Sequence, residues 1–295
     1  MSARGRVIKA AVGAASGVAT AWAARLAYTA VNRRPPGGPK AWSRINHRGG
    51  PVTLLEGPAV AAGAIAGALA HASLASLAGS PGWRAGTAMA VAGAGGAAFG
   101  AYDDLAGSAD RRGFRGHIGA LRDGEVTTGA VKLGGIGLTG IFSAALVGGP
   151  AADVVINAGL VAGGANLLNL FDLRPGRAIK VAAASGALIT VGGALSSGSA
   201  VPVAAALALL PEDLGERAML GDCGANALGA MLGAAAAAGL PRPARIALLA
   251  GIAGLTAASE KISFTKVIER TPALHRLDML GRRPPEDTGD QAFPP

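Results

Sequence analysis

The apolar residues of this chain come in runs of ~17–25 residues, broken by short stretches where charge, Gly and Pro collect. That is the length of helix that crosses a hydrocarbon layer. The runs predict helices over roughly 7–31, 54–79, 83–102, 128–148, 151–170, 178–196, 199–211, 225–241 and 244–259. The seventh is short and ends in Pro211, which predicts a tilted or broken segment. The first follows Arg4, Arg6 and Lys9 without a small-residue cleavage site and reads as a retained span. The expected fold is all-α, a polytopic helical membrane protein with about nine transmembrane helices. Residues 1–283 are expected to form a single integral membrane domain, and 284–295 a disordered cytoplasmic tail.

Composition supports that class. The 295 residues are 51% hydrophobic and 15% charged, and mean hydropathy is +0.41. A soluble domain carries roughly 25% charged residues. The 47 glycines and abundant alanine suit close helix packing in lipid. A lone cysteine, Cys223, excludes an internal disulfide framework and a Cys/His zinc site. The net charge of +9 is read as basic loops flanking spans rather than as a nucleic-acid surface, since no aromatic platform accompanies it.

Acids stand out at the rims of the apolar runs: Asp103-Asp104, Asp172 behind Asn166 and Asn169, and Asp222 in Gly221-Asp222-Cys223-Gly224. A carboxylate beside hydrocarbon costs about 2.5–3.5 kcal/mol even on lenient insertion scales, so such groups mark function. An even number of predicted spans separates these clusters, which places them on one face. The basic residues Arg33, Arg34, Lys40, Arg44, Arg48, Arg174, Arg177, Lys180, Lys261 and Lys266 share that face, with Arg111, Arg112, Arg115 and Arg122, and Lys132 stands close by. The positive-inside rule makes the face cytoplasmic, with the N-terminus outside and the C-terminus inside. Acids, amides and bases at such a surface suit a metal-bound, phosphorylated substrate meeting a lipid. Mg²⁺ is held by one or two carboxylates plus substrate phosphates, and Lys, Arg and Gly-rich turns hold phosphate oxygens.

Three ordered motifs carry a resemblance: Tyr102-Asp103-Asp104-Leu105-Ala106-Gly107, Asn166-Leu167-Leu168-Asn169-Leu170-Phe171-Asp172, and Leu220 through Gly229. Together they resemble the polyprenyl-phosphate N-acetylhexosamine-1-phosphate transferases, over most of the chain from ~46 to ~283. The resemblance implies attack by a lipid phosphate oxygen on the β-phosphorus of a UDP-sugar, releasing UMP and forming a polyprenyl diphosphate sugar. It implies that Asp222 is the main Mg²⁺ ligand, and that Asp103 and Asp104 orient or deprotonate the lipid phosphate, Asp104 also supporting the metal. Mn²⁺ would serve the same donors. Asn166, Asn169 and Asp172 would shape the nucleotide-sugar pocket. Arg48, Lys132 and His275 would approach substrate phosphate or close the site. The implied partners are polyprenyl phosphate, a UDP-sugar and membrane lipids, with a homodimer allowed and no nucleic acid. The implied location is a bacterial plasma membrane.

The chain also departs from that pattern. After Asp172 it reads Leu173-Arg174-Pro175-Gly176-Arg177 where relatives commonly carry a second acid, and His275 stands alone where they carry a His-rich cluster. These departures motivate a second reading, a non-catalytic protein that binds polyprenyl phosphate or scaffolds envelope assembly. Plainer roles stand beside each residue. Asp172 or Asp222 can cap a helix, Asn166 and Asn169 can join helices, and Lys132 can snorkel to the interface.

Overall fold

The computed structural model describes residues 3–106, 126–192 and 198–284. Within them, each of the nine predicted runs is a helix, with ends displaced by a few residues. In chain order they are α1 (Ala3–Arg33), α2 (Glu56–Leu77), α3 (Gly82–Ala106), α4 (Thr128–Val147), α5 (Ala151–Phe171), α6 (Arg177–Val191), α7 (Ala200–Leu214), α8 (Gly221–Gly239) and α9 (Arg242–Ser259). Two short helices follow, α10 (Phe264–Arg270) and α11 (Pro272–Met279). The expected tail falls almost wholly outside the described residues, as do Arg111, Arg112, Arg115, Arg122 and the end of the first motif at Gly107.

The all-α expectation holds apart from a small hairpin. β1 (Ser43–Ile45) pairs antiparallel with β2 (Pro51–Thr53), Arg44 facing Val52. The turn between them is closed by Asn46, whose Oδ1 accepts the Arg48 and Gly50 amides at 2.9 Å. The hairpin then docks on the segment before α8, where Met219 N–H donates to the Thr53 carbonyl at 2.9 Å.

Three helices, α2, α4 and α5, are long and apolar enough to cross a membrane. A fourth span results if α9 and α10, which meet at 96°, are taken as one bent element. That is fewer than the nine expected. Two of the shortfalls are simply short, since α6 and α7 have 15 residues each. Others are diluted: α1 at 31 residues and α3 at 25 are long enough, but Gly, Ser, Thr and charge lower their apolarity. Pro211 does not end α7, which continues to Leu214. Proline forfeits one backbone donor, and the helix carries on past that loss.

α8 is the hub, with 16 of its 19 residues buried. Helices α2 through α7 pack around it. Close approach depends on missing side chains. A Cβ on Gly100 would collide with the Asp222 backbone, and one on Gly96 with the Asn226 backbone. This pair, four residues apart, lets α3 lie directly against α8. The outer surface has the opposite character. α4 buries Gly135, Thr139, Gly140 and Ser143 while exposing Leu138, Ile141 and Phe142. Large apolar groups outward and small or polar groups inward is the arrangement of a helix that faces lipid.

Candidate functional site

The rim segments meet at one end of the bundle. Lys132, in the first turns of α4, places its ammonium between two carboxylates. It is 3.3 Å from Asp103 Oδ2 and makes a short ion pair with Asp222 Oδ2. The Lys132 side chain is 12% exposed, and those of Asp103 and Asp222 are 21% and 26% exposed, so the trio faces an opening rather than a sealed core. Lys132 therefore does not snorkel away; it joins α3, α4 and α8.

Asp104 has a different task. Helix α8 begins at Leu220-Gly221 with no side-chain cap of its own. Asp104 supplies one from α3, its Oδ1 accepting the Asp222 amide at 3.0 Å and its Oδ2 the Cys223 amide at 2.9 Å. A carboxylate there satisfies two orphan amides and meets the positive end of the helix dipole. Gly221 makes room for it. Its φ is 60°, and a Cβ would lie 3.0 Å from Asp104 Oδ2. On the other side the Arg44 guanidinium donates to the Asp104 carbonyl near the end of α3.

The electrostatics separate the acids. Burial lifts Asp222 to about 6, a rise opposed by Lys132 and supported by its hydrogen bond with Asp103 and the charge of Asp104. Asp103 is also raised by burial, but the hydrogen bond with Asp222, Lys132 and Thr128 together bring it below the ordinary value. Of the pair, Asp103 is thus the charged member at mildly acidic pH. Burial raises Asp104 as well, against the pull of the Cys223 and Asp222 amides.

Asp172 caps the C-terminal end of α5, its amide donating to the Asn169 carbonyl at 3.1 Å. Burial first, then the charges of Asp213, Asp222 and Asp104, hold its carboxyl well above the usual range. It lines a small cavity of about 170 Å³ with Asn46, His47, Arg174, Asp213 and Glu216. Asn169 is half-buried in the turn before it. Asn166 lies farther along α5 and donates to Thr256 Oγ1 at 3.3 Å.

Other expected site residues are engaged elsewhere. Arg48 pairs with Glu216 at 3.0 Å and donates to the carbonyls of Arg283 and Pro284. His275 is exposed on α11. The unusual Arg177 forms a buried two-pronged ion pair with Asp278 at 2.8 and 3.0 Å and reaches Thr265 Oγ1 at 2.9 Å. It fastens the start of α6 to the C-terminal helices rather than serving a ligand.

A groove of about 750 Å³ opens beside Lys132, between α4, α5, α8 and α9. Its walls are Leu133, Ile136, Leu249, Ile252 and Ala253, and its polar rim is Lys132, Asn166, Thr256, Glu260 and Lys261. Sequence reasoning did not single out Asp213, Glu216 or Asn226. The last had a signal, since it sits four residues after Asp222 in the third motif.

Among the described residues, no three His, Cys, Asp or Glu side chains converge to hold a metal ion. The donor set does suit Mg²⁺ in the manner that borrows substrate oxygens. Asp103 and Asp222 already share one cation, the Lys132 ammonium, and two carboxylates plus phosphate oxygens are a usual Mg²⁺ environment. Asp104, with both oxygens accepting amides, fits that role less well than Asp103. No protein-family model matches the chain, and no curated protein is similar enough to it to count as a relative. Among the described residues, the fold and site define a predominantly helical protein with three helices, or four counting the bent pair, long and apolar enough to cross a membrane, and a rim cluster of two carboxylates and a lysine.

Proposed function

We propose that this protein transfers a sugar-1-phosphate, of the N-acetylhexosamine type, from a UDP-sugar to a polyprenyl phosphate. The observation that carries the reading is the Asp103–Lys132–Asp222 cluster at the mouth of a largely apolar groove. A phosphate headed by a long hydrocarbon chain matches both parts at once. Lys132 would bind the lipid phosphate, and Ile136, Leu249 and Ile252 would take the chain. Asp103, held charged, would fix the orientation of that phosphate. The UDP-sugar would enter over Asp172, beside Asn46, His47 and Arg174, and Asp104 would hold the start of α8 so that Asp222 stays in place. Mg²⁺ held by Asp103 and Asp222 would supply charge neutralisation at the diphosphate, which is most of what phosphoryl transfer asks of a protein.

In this reading the bundle sits in a bacterial plasma membrane, with α2, α4 and α5 among its spans and with the site and C-terminus cytoplasmic. Support comes from Arg33, Arg34, Lys40, Arg44, Arg48, Arg174, Arg177, Lys180, Arg217 and Lys261 at the site end, which outnumber Arg4, Arg6, Lys9, Arg84, Arg242 and Arg245 at the other. A second reading has one observation in its favour. Lys132 already pairs with both carboxylates and fills the place a metal would take, as in a non-catalytic binder of polyprenyl phosphate.

The test is UMP release by purified protein given polyprenyl phosphate, Mg²⁺ and a panel of UDP-sugars. Release with at least one sugar is expected, dependent on both lipid and metal. Asp222→Asn and Asp103→Asn should each lose at least about 100-fold, the scale for removing one group that stabilises developing charge, while still inserting in membranes. Full turnover by Asp222→Asn refutes the mechanism. Lipid binding without UMP release from any sugar selects the non-catalytic reading.

A further inference from the structure

Helix α8 carries a polar side chain that the cluster above does not use. Asn226 is fully buried, lines the apolar groove, and among the described residues has no partner for either its amide nitrogen or its amide oxygen. Its surroundings offer little. Helix α3 meets it as Gly96, which has no side chain, and the nearby groove walls Ile136 and Ile252 are hydrocarbon. Leucine has the same branched shape and would strand no donor or acceptor away from water, so the amide is costly unless something binds it.

Position indicates what that is. Asn226 follows Asp222 by four residues, so both side chains leave α8 on the same face, about 6 Å apart along the axis. Helical side chains lean toward the N-terminus, which tips the carboxamide toward the Lys132 end of the groove. We propose that Asn226 is a substrate-binding residue that donates its amide N–H to an oxygen of a lipid phosphate seated at Lys132. It holds the phosphate from the hydrocarbon side while Lys132 holds it from the polar side. The consequence is selectivity: a phosphorylated chain satisfies the amide, and the same chain ending in an alcohol offers it a much weaker partner. This inference rests on reading the groove as the lipid-phosphate site.

The experiment titrates wild type, Asn226→Leu and Asn226→Ala, purified in detergent, with farnesyl phosphate and with farnesol. Both variants should bind the phosphate about tenfold more weakly, a loss of about 1.4 kcal/mol, with farnesol binding unchanged within about twofold. The leucine variant should melt no lower than wild type. Unchanged phosphate affinity in a folded variant overturns the proposal. An equal loss for phosphate and alcohol also overturns it, because Asn226 then only shapes the groove. If wild type binds neither probe, the groove reading falls and this inference with it. If the variants lose phosphate selectivity while wild type releases no UMP from any UDP-sugar, the transferase reading fails and the role of Asn226 stands.

Discussion

Asp278→Ala should be among the most damaging substitutions outside the site, because it strands two buried cations at once. Asp278 receives Arg177 at 2.8 and 3.0 Å and Arg282 at 2.7 Å, and the three side chains are 5%, 4% and 7% exposed. Removing one partner of a buried ion pair costs roughly 3–5 kcal/mol, since the remaining charge has lost its counter-ion but not its burial. Thermal unfolding in detergent, followed by circular dichroism, should therefore show a midpoint lowered by on the order of 10 °C. Arg177→Met combined with Asp278→Ala should cost less than the two singles summed, by at least about 1.5 kcal/mol, because the stranded Arg177 charge is removed with its partner. The pH dependence has a definite sign. Burial raises the Asp278 carboxyl, but the hydrogen bond and charge of Arg177, with Arg282, outweigh it and depress it below the ordinary value. A depressed carboxylate contributes its full stability above its unfolded pKa of about 3.9 and loses it as pH falls through the lower folded value. The difference between wild type and Asp278→Ala should thus be complete at pH 7 and shrink on acidification below about 4. A variant within about 0.5 kcal/mol of wild type at pH 7, or strictly additive singles, would refute the view that Leu173–Arg177 is an anchored segment.

Asp213 should show the opposite pH behaviour. Burial pushes its carboxyl up to about 6 against the Gly176 amide, and among the described residues its Oδ2 has no partner. A raised acid favours the folded state most below its unfolded pKa and loses that advantage as pH rises through about 6, here about 3 kcal/mol. Asp213→Asn should flatten that slope in melting curves recorded from pH 4 to 7, and a slope identical to wild type would exclude Asp213 as its source. Gly221→Ala should destabilise by about 2 kcal/mol, since alanine is strained at φ 60° and its Cβ would press on Asp104 Oδ2. Gly134→Ala, in an open helical position where nothing lies within 4 Å, is the control and should melt at or slightly above wild type, since alanine favours helix over glycine.

The nine helices were legible along the chain because burial of an apolar run is a local, additive quantity. The gathering of Asp103, Asp104, Asp172 and Asp222 at one end was legible too, since consecutive helices running up and down the bundle return the chain to the same end every second helix. How many helices are apolar enough to cross was overread, because α1 and α3 mix small and polar residues into long runs and α6 and α7 are short. The hairpin at Ser43–Thr53 carried too little alternation to notice in two three-residue strands.

Roles within the site depended on distances between helices, and those follow from packing. Asp103 and Asp104 are neighbours in the first motif, yet one faces Lys132 and the other caps α8. Successive helical residues point about 100° apart, and the seating of Gly96 and Gly100 against α8 decides which of them meets the Asp222 carboxylate and which its amide. Arg48 and Arg177 looked available for phosphate because charge is visible in sequence, whereas their partners Glu216 and Asp278 lie more than a hundred residues away. The sequence alone therefore determined the helical class, the placement of the helices and the pole at which the charged residues collect. Tertiary structure decided which acid is paired, which is a cap, and that Asn226 is buried without a partner, because those outcomes turn on contacts of about 3 Å set by glycine-mediated helix packing.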